Sequence, residues 1–193
     1  MFRTRLAAMF IPLFVTGAAL ASPPVLGRAD TPEKSEKAAK MSEVLSVLHA
    51  VSQWSTNLSE MADKRAKSDL VKGYARTMAT ANATSDAKLM TIAQKNGFDI
   101  VPLDPQTEEG RSLLDRIKAE TVLLGSLEGD AFDKEYMTLV TNTQQSVIHF
   151  LDTSKMLARD PEVKQFFGDM TTAVQNRLKT AQVILGKVYG DTI

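Results

Sequence analysis

Two histidines, His49 and His149, are the only imidazoles among 193 residues, and cysteine is absent. Thiolate metal sites, thiol nucleophiles and redox pairs are therefore excluded. A carboxylate di-iron site in a helical bundle needs a Glu from each of two helices and a Glu-x-x-His from each of two others. The residues three before the histidines are Ser46 and Ser146, so that chemistry lacks its ligands. Two histidines alone make a poor metal site, and both read as edge or partly solvated positions. Beyond residue 21 the methionines are Met41, Met61, Met78, Met90, Met137, Met156 and Met170. They are spread singly and read as core packing rather than as a copper(I) cluster. Glu128, Asp130 and Asp133 surround Gly129 without the spacing of an EF-hand loop, and helix capping accounts for them better. No phosphate-cradling glycine loop or nucleophile elbow occurs. The expectation is a chain with no cofactor, no metal and no catalytic constellation.

The elements that position these residues are helices. Val44, Leu48, Val51, Leu58 and Ala62 follow steps of three and four, predicting a helix from about Ser35 to Ala66. Ser68 is the predicted N-cap of a second helix, which carries Val71, Tyr74, Met78, Ala81, Leu89 and Ile92 as far as Asn96. Gly97 suits the left-handed position just past its end. A connector with Pro102 and Pro105 leads to a shorter helix over about 107–127, with Leu113, Leu114, Ile117, Val122 and Leu124 as its stripe. Asp130, with Asp133 three residues on, reads as an acidic capping box for a helix running through Phe132, Tyr136 and Val140 to Leu157. Asp160-Pro161-Glu162 starts the last helix, which runs to about Tyr189. No stretch alternates with period two for long. The fold class expected is all-α: an antiparallel, ferritin-like four-helix bundle with a short extra helix in the long connection.

Those stripes have polar gaps. Counting along them places Ser55 between Val51 and Leu58, Asn82 one turn beyond Met78, Gln144 four after Val140 and Arg177 three after Val174. Each of the four long helices thus aims a polar side chain inward. An unpaired buried polar group costs on the order of 1–3 kcal/mol, and an unpaired charge more. Arg177 should therefore meet a partner, and Asp86, one turn beyond Asn82, is the candidate. A hydrogen-bonded layer fixing helix register, or a stripe edge with the Arg177 head reaching water, is the simpler account; a ligand pocket is the alternative.

Three segments carry a family resemblance: Val71-Lys72-Gly73-Tyr74-Ala75-Arg76-Thr77-Met78, Phe132-Asp133-Lys134-Glu135-Tyr136 and Val163-Lys164-Gln165-Phe166. With these the chain resembles a divergent member of the bacterial domain of unknown function 4142, over about residues 44–188. The Phe-Asp-x-x-Tyr element is the most specific of the three. The resemblance implies a ferritin-like fold and, in typical members, a Glu in the first helix and a His in each of three later ones. Here Ser55, Asn82, Gln144 and Arg177 stand at those positions, and Thr172 stands where a proline is usual. None of Ser, Asn and Gln can act as a base near neutral pH. Members are often labelled outer-membrane proteins, but no second apolar span follows the N-terminal one here, and the chain reads as a soluble bundle.

The compartment is read from the start of the chain. Arg3 and Arg5 precede an apolar run from Leu6 to Ala21 that ends in Ala19-Leu20-Ala21, the pattern of a cleavable secretory signal. The run is interrupted by Pro12 and Gly17 and falls short of the roughly 20 residues that span a bilayer. Residues 1–21 are the expected signal, 22–34 a flexible leader and 35–190 the bundle domain, with the periplasm as the working place. The 172 residues after the cut carry 21 basic and 23 acidic side chains, a net charge of −2. Nucleic acid and anionic membrane surfaces are poor partners for such a chain. The function expected is that of a non-enzymatic interaction or stress-associated protein, whose partner is a protein or a small ligand. A small-ligand or anion carrier is the alternative, and metal binding is the third and least supported reading. Mass spectrometry of the exported chain is expected to place its N-terminus at Ser22; a retained first segment would refute cleavage after Ala21.

Overall fold

The computed structural model describes residues 32–190, so the expected signal and the leader up to residue 31 lie outside the described residues. Five helices follow in order: α1 (Pro32–Arg65), α2 (Asp69–Asn96), α3 (Glu108–Ser126), α4 (Gly129–Lys155) and α5 (Pro161–Tyr189). There is no strand among the described residues. α1 begins three residues before the expected Ser35, with a proline at its first position, where the missing N–H has no helical partner to lose. Gly97 adopts φ 68°, and the N–H groups of Gly97 and Phe98 close on the carbonyls of Gln94 and Ala93. That is a Schellman end, and it needs the left-handed backbone that glycine supplies. Thr107 caps α3 by accepting from Gly110 N–H, and Asp160 caps α5 by accepting from the N–H groups of Glu162 and Val163. Gly110 also permits a close approach, because a β-carbon there would collide with the Asp104 carbonyl.

The start of α4 departs from the expected capping box. Glu128 holds the N-cap position without a side-chain bond, and Asp130 is exposed, 3.1 Å from the Lys67 ammonium. Asp133 is 2 % exposed and serves a different helix. One of its oxygens accepts from Lys67 N–H at 2.9 Å and the other from Ser68 N–H at 2.7 Å. The carboxylate thus closes the α1–α2 turn at the positive end of α2, and the Ser68 hydroxyl makes no capping bond there. Arg65 works beside it, donating to the Gly125 and Leu127 carbonyls at the end of α3 and lying 5.2 Å from the Phe132 ring centroid. α4 then ends at Lys155, short of Leu157, which is exposed.

α1 packs along α2 and α4 along α5; α1 meets α4 and α2 meets α5 to join the two pairs. α3 lies against this assembly with little of its own surface buried. Of its expected stripe only Leu124 is fully buried, while Val122 is 65 % exposed. The four long helices can dehydrate one another, so α3 has only one edge left to bury. Trp54 of α1 reaches it, donating from Nε1 to Thr121 Oγ1 at 3.0 Å. Ser42 and Ser46 hold the preceding connector to α1 by accepting from the N–H groups of Asp99 and Val101.

The core comes in two blocks. One gathers Leu58, Val71, Tyr74, Phe132, Tyr136 and Met137; the other gathers Leu45, Leu48, Leu89, Leu151, Val163 and Phe167. Met41, Met78, Met137 and Met170 are core residues as expected, whereas Met90 and Met156 are exposed. In the first block Tyr136 donates its hydroxyl to Ser59 Oγ at 3.0 Å, so the buried phenol is satisfied. Removing the Asp133 carboxylate leaves two turn N–H groups without an acceptor. Asp133→Ala is expected to lower unfolding free energy by about 2–4 kcal/mol in urea titration, while Asp130→Ala changes it by less than about 0.5 kcal/mol.

Candidate functional site

Between the two apolar blocks lies a polar storey. Ser55 on α1, Asn82 on α2, Gln144 on α4 and Arg177 on α5 all line one cavity of about 40 Å³. All four residues that the stripes place inward thus lie along the same cavity. Asn82 and Gln144 are 8 % and 4 % exposed; Ser55 and Arg177 are half-buried. Leu48, Leu58, Met78, Val140 and Val174 supply apolar wall, and Ser52, Ser59 and Thr143 add hydroxyls. No carboxylate and no imidazole lines the cavity.

The expected partner of Arg177 is engaged elsewhere. Asp86 Oδ1 lies 2.7 Å from His49 Nδ1, a pair formed between α2 and α1 rather than between α2 and α5. His49 is therefore the partly solvated edge residue expected, with a side chain 22 % exposed. No ion pair joins Arg177 to a carboxylate among the described residues. Its Nε is buried without a hydrogen-bond partner. Burial holds the Arg177 guanidinium below its ordinary pKa, opposed by the Tyr74 phenol nearby.

A relay of bonds fixes the rest of the storey. Tyr74 donates its hydroxyl to the Arg177 backbone carbonyl at 3.2 Å. Having spent its proton there, it accepts from Gln144 Nε2 at 2.6 Å, and the same Nε2 contacts Met78 Sδ at 3.5 Å. The Gln144 amide is thereby oriented, and its Oε1 is left buried without a donor. Asn82 Nδ2 and Thr143 Oγ1 are likewise buried and unpaired. Sequence reasoning missed Thr143 and the relay through Tyr74. The first was available in principle, since Leu139, Thr143 and Val147 follow one another at steps of four.

The lining of the storey offers hydrogen-bond donors and acceptors, and no group that exchanges protons near neutral pH. Burial pushes the Tyr74 phenol up to about 12, outweighing the lowering by the Gln144 hydrogen bond and by Arg177. Burial also raises Tyr136, against the lowering effect of its bond to Ser59. Elsewhere, no group of three or more His, Cys, Asp or Glu side chains gathers as a metal would need, among the described residues. No described helix is long and apolar enough to cross a membrane.

A phenol whose folded pKa exceeds its unfolded value of 10.0 contributes stability fully present below pH 10 and lost as pH rises through about 12. Unfolding free energy is accordingly expected to fall over that window, and to fall less steeply in Tyr74→Phe. Urea titrations at successive pH values check this; identical slopes in the two proteins would contradict the buried state of the phenol.

Comparisons with known proteins agree with this architecture. The fold is similar to a crystal structure from Streptomyces coelicolor, of a protein with domain of unknown function 305 described as secreted. The TM-score is 0.62 at 17% sequence identity, over 79% of this chain and 93% of that one. No curated protein matches the chain. Residues 27–184 match the family described as Domain of unknown function (DUF4142), a span that includes the Phe132–Tyr136 element and all four residues of the polar storey. The chain belongs to the family of domain of unknown function 4142.

Proposed function

We propose that this chain is an exported, non-catalytic binding protein whose ligand occupies the polar storey of an antiparallel, ferritin-like bundle. The observation that carries the reading is the buried, unpaired Nε of Arg177, beside a cavity that no carboxylate lines. A buried donor left without an acceptor costs free energy, and an occupant that supplies the acceptor recovers it. The absence of imidazole and carboxylate from the lining favours binding over turnover. The antiparallel arrangement is supported by contacts that join the end of one helix to the start of another. Ser59 late in α1 meets Tyr136 early in α4, and Lys95 at the end of α2 pairs with Glu162 at the start of α5. Export to the periplasm is supported by the basic, apolar and Ala-Leu-Ala pattern of residues 1–21 and by the secreted description of the structural neighbour.

A second reading, a protein or peptide binder of the interaction or stress-associated kind, has one observation in its favour. A groove of about 670 Å³ runs between α1, the connector and α3, with Trp54, Met61, Ile100, Leu114 and Ile117 along it. The storey is the stronger site because its unmet demand is specific.

Melting temperatures in chloride-free buffer separate the two. Formate, nitrate or chloride at a hundredfold excess over Kd is expected to raise Tm by roughly 5–10 °C, and neutral formamide to leave it unchanged. Arg177→Met should abolish the anion effect and melt above the parent chain without anion, since it removes an unpaired buried donor. No anion-dependent shift in the parent chain would refute the storey as a site.

A further inference from the structure

The unmet atoms of the storey define more than a charge. Asn82 Nδ2 and Arg177 Nε can only donate, Gln144 Oε1 can only accept, and the Thr143 hydroxyl can do either. In the structure Tyr74 donates to the Arg177 carbonyl and receives from the Gln144 nitrogen, which leaves the Gln144 oxygen over.

An occupant that meets all of these needs one negative charge, at least two acceptor atoms and one hydrogen to give. It must also be small. A cavity of about 40 Å³ holds roughly three waters, or a species of three or four non-hydrogen atoms. Chloride, nitrate and formate satisfy the donors and the charge but leave Gln144 Oε1 unmet. A neutral carboxylic acid supplies the hydrogen but not the charge. Water satisfies the neutral groups and leaves the guanidinium without a counter-ion.

Resting on the pocket reading above, we infer that the occupant is a compact monoanion that keeps one O–H, with hydrogencarbonate as its representative. Two of its oxygens accept from Asn82 and Arg177, and its hydroxyl donates to Gln144 Oε1. Thr143 serves whichever oxygen remains. Formate is the matched control, because it has the charge and the acceptors without the hydroxyl.

The experiment titrates ¹³C-labelled hydrogencarbonate into the exported chain at pH 8, followed by carbon NMR and calorimetry. Parallel titrations use formate, nitrate and chloride. Saturable binding of hydrogencarbonate about tenfold tighter than formate is expected, one neutral hydrogen bond being worth that factor. Gln144→Met should bring hydrogencarbonate down to the formate level while formate itself changes little. Arg177→Met should lose both, with helical circular dichroism retained. If that variant does not fold, Arg177→Lys keeps the charge without Nε and should weaken every anion. Formate binding as tightly as hydrogencarbonate, with Arg177 still required, overturns the hydroxyl requirement and leaves the pocket reading standing. No binding of any of the four anions overturns both.

Discussion

A guanidinium half-buried among helices, with its Nε unpaired and no carboxylate to answer it, is the constraint around which the bundle is arranged. Apolar side chains cannot pack across such a group at full density without leaving polar atoms stranded. The core accordingly divides into one block above and one below, each closed by its own aromatic and aliphatic residues. The storey between them is neither a continuation of the core nor a solvated face. Asn82 and Gln144 are nearly dry, yet each keeps a side-chain atom uncommitted. Natural sequences tend to break packing rules of this kind where they bind something and to compensate elsewhere. Here the compensation is visible in Tyr74, which ties α2 to α5 through a backbone carbonyl and to α4 through an amide.

The Phe-Asp-x-x-Tyr element shows why a short motif can be demanding. Phe132, Asp133 and Tyr136 are almost fully buried, and none of them acts mainly within its own helix. Phe132 sits under Arg65, Asp133 accepts from the α1–α2 turn, and Tyr136 reaches Ser59 of α1. Three positions on one helical face thereby fix where α1 ends and α2 begins. Each of them touches an element more than 60 residues away in sequence: Phe132 at a separation of 67, Asp133 at 65 and 66, and Tyr136 at 77.

What could be read from the sequence was whatever depends on neighbours a turn or two away. Gly97 ends α2 and Asp160-Pro161 begins α5 because both are local backbone problems with local solutions. The inward phase of Ser55, Asn82, Gln144 and Arg177 followed from helical geometry, which carries over whole segments. What was not legible depended on which helices become neighbours. Asp133 looked like a cap for its own helix, since the capping box is a sequence pattern; the competing demand from the α1–α2 turn is a spatial one. Asp86 was within reach of Arg177 by register, but the side of α2 it occupies faces α1 and His49. The stripe of α3 had the right period and the wrong consequence, because amphipathicity does not say how much surface is left to cover.

The placement of the Asp133 carboxylate has a consequence for the order in which the chain acquires its shape. α1 and α2 are adjacent in sequence and pack along each other, so their pairing involves only short loop closure. Their connecting turn, however, is finished by an acceptor that arrives two helices later. A nascent segment ending before residue 133 holds the first hairpin with its hinge amides facing water. The turn between α1 and α2 gains its carboxylate acceptor only when the second helix pair is in place, so a local turn is completed by a contact of high sequence separation.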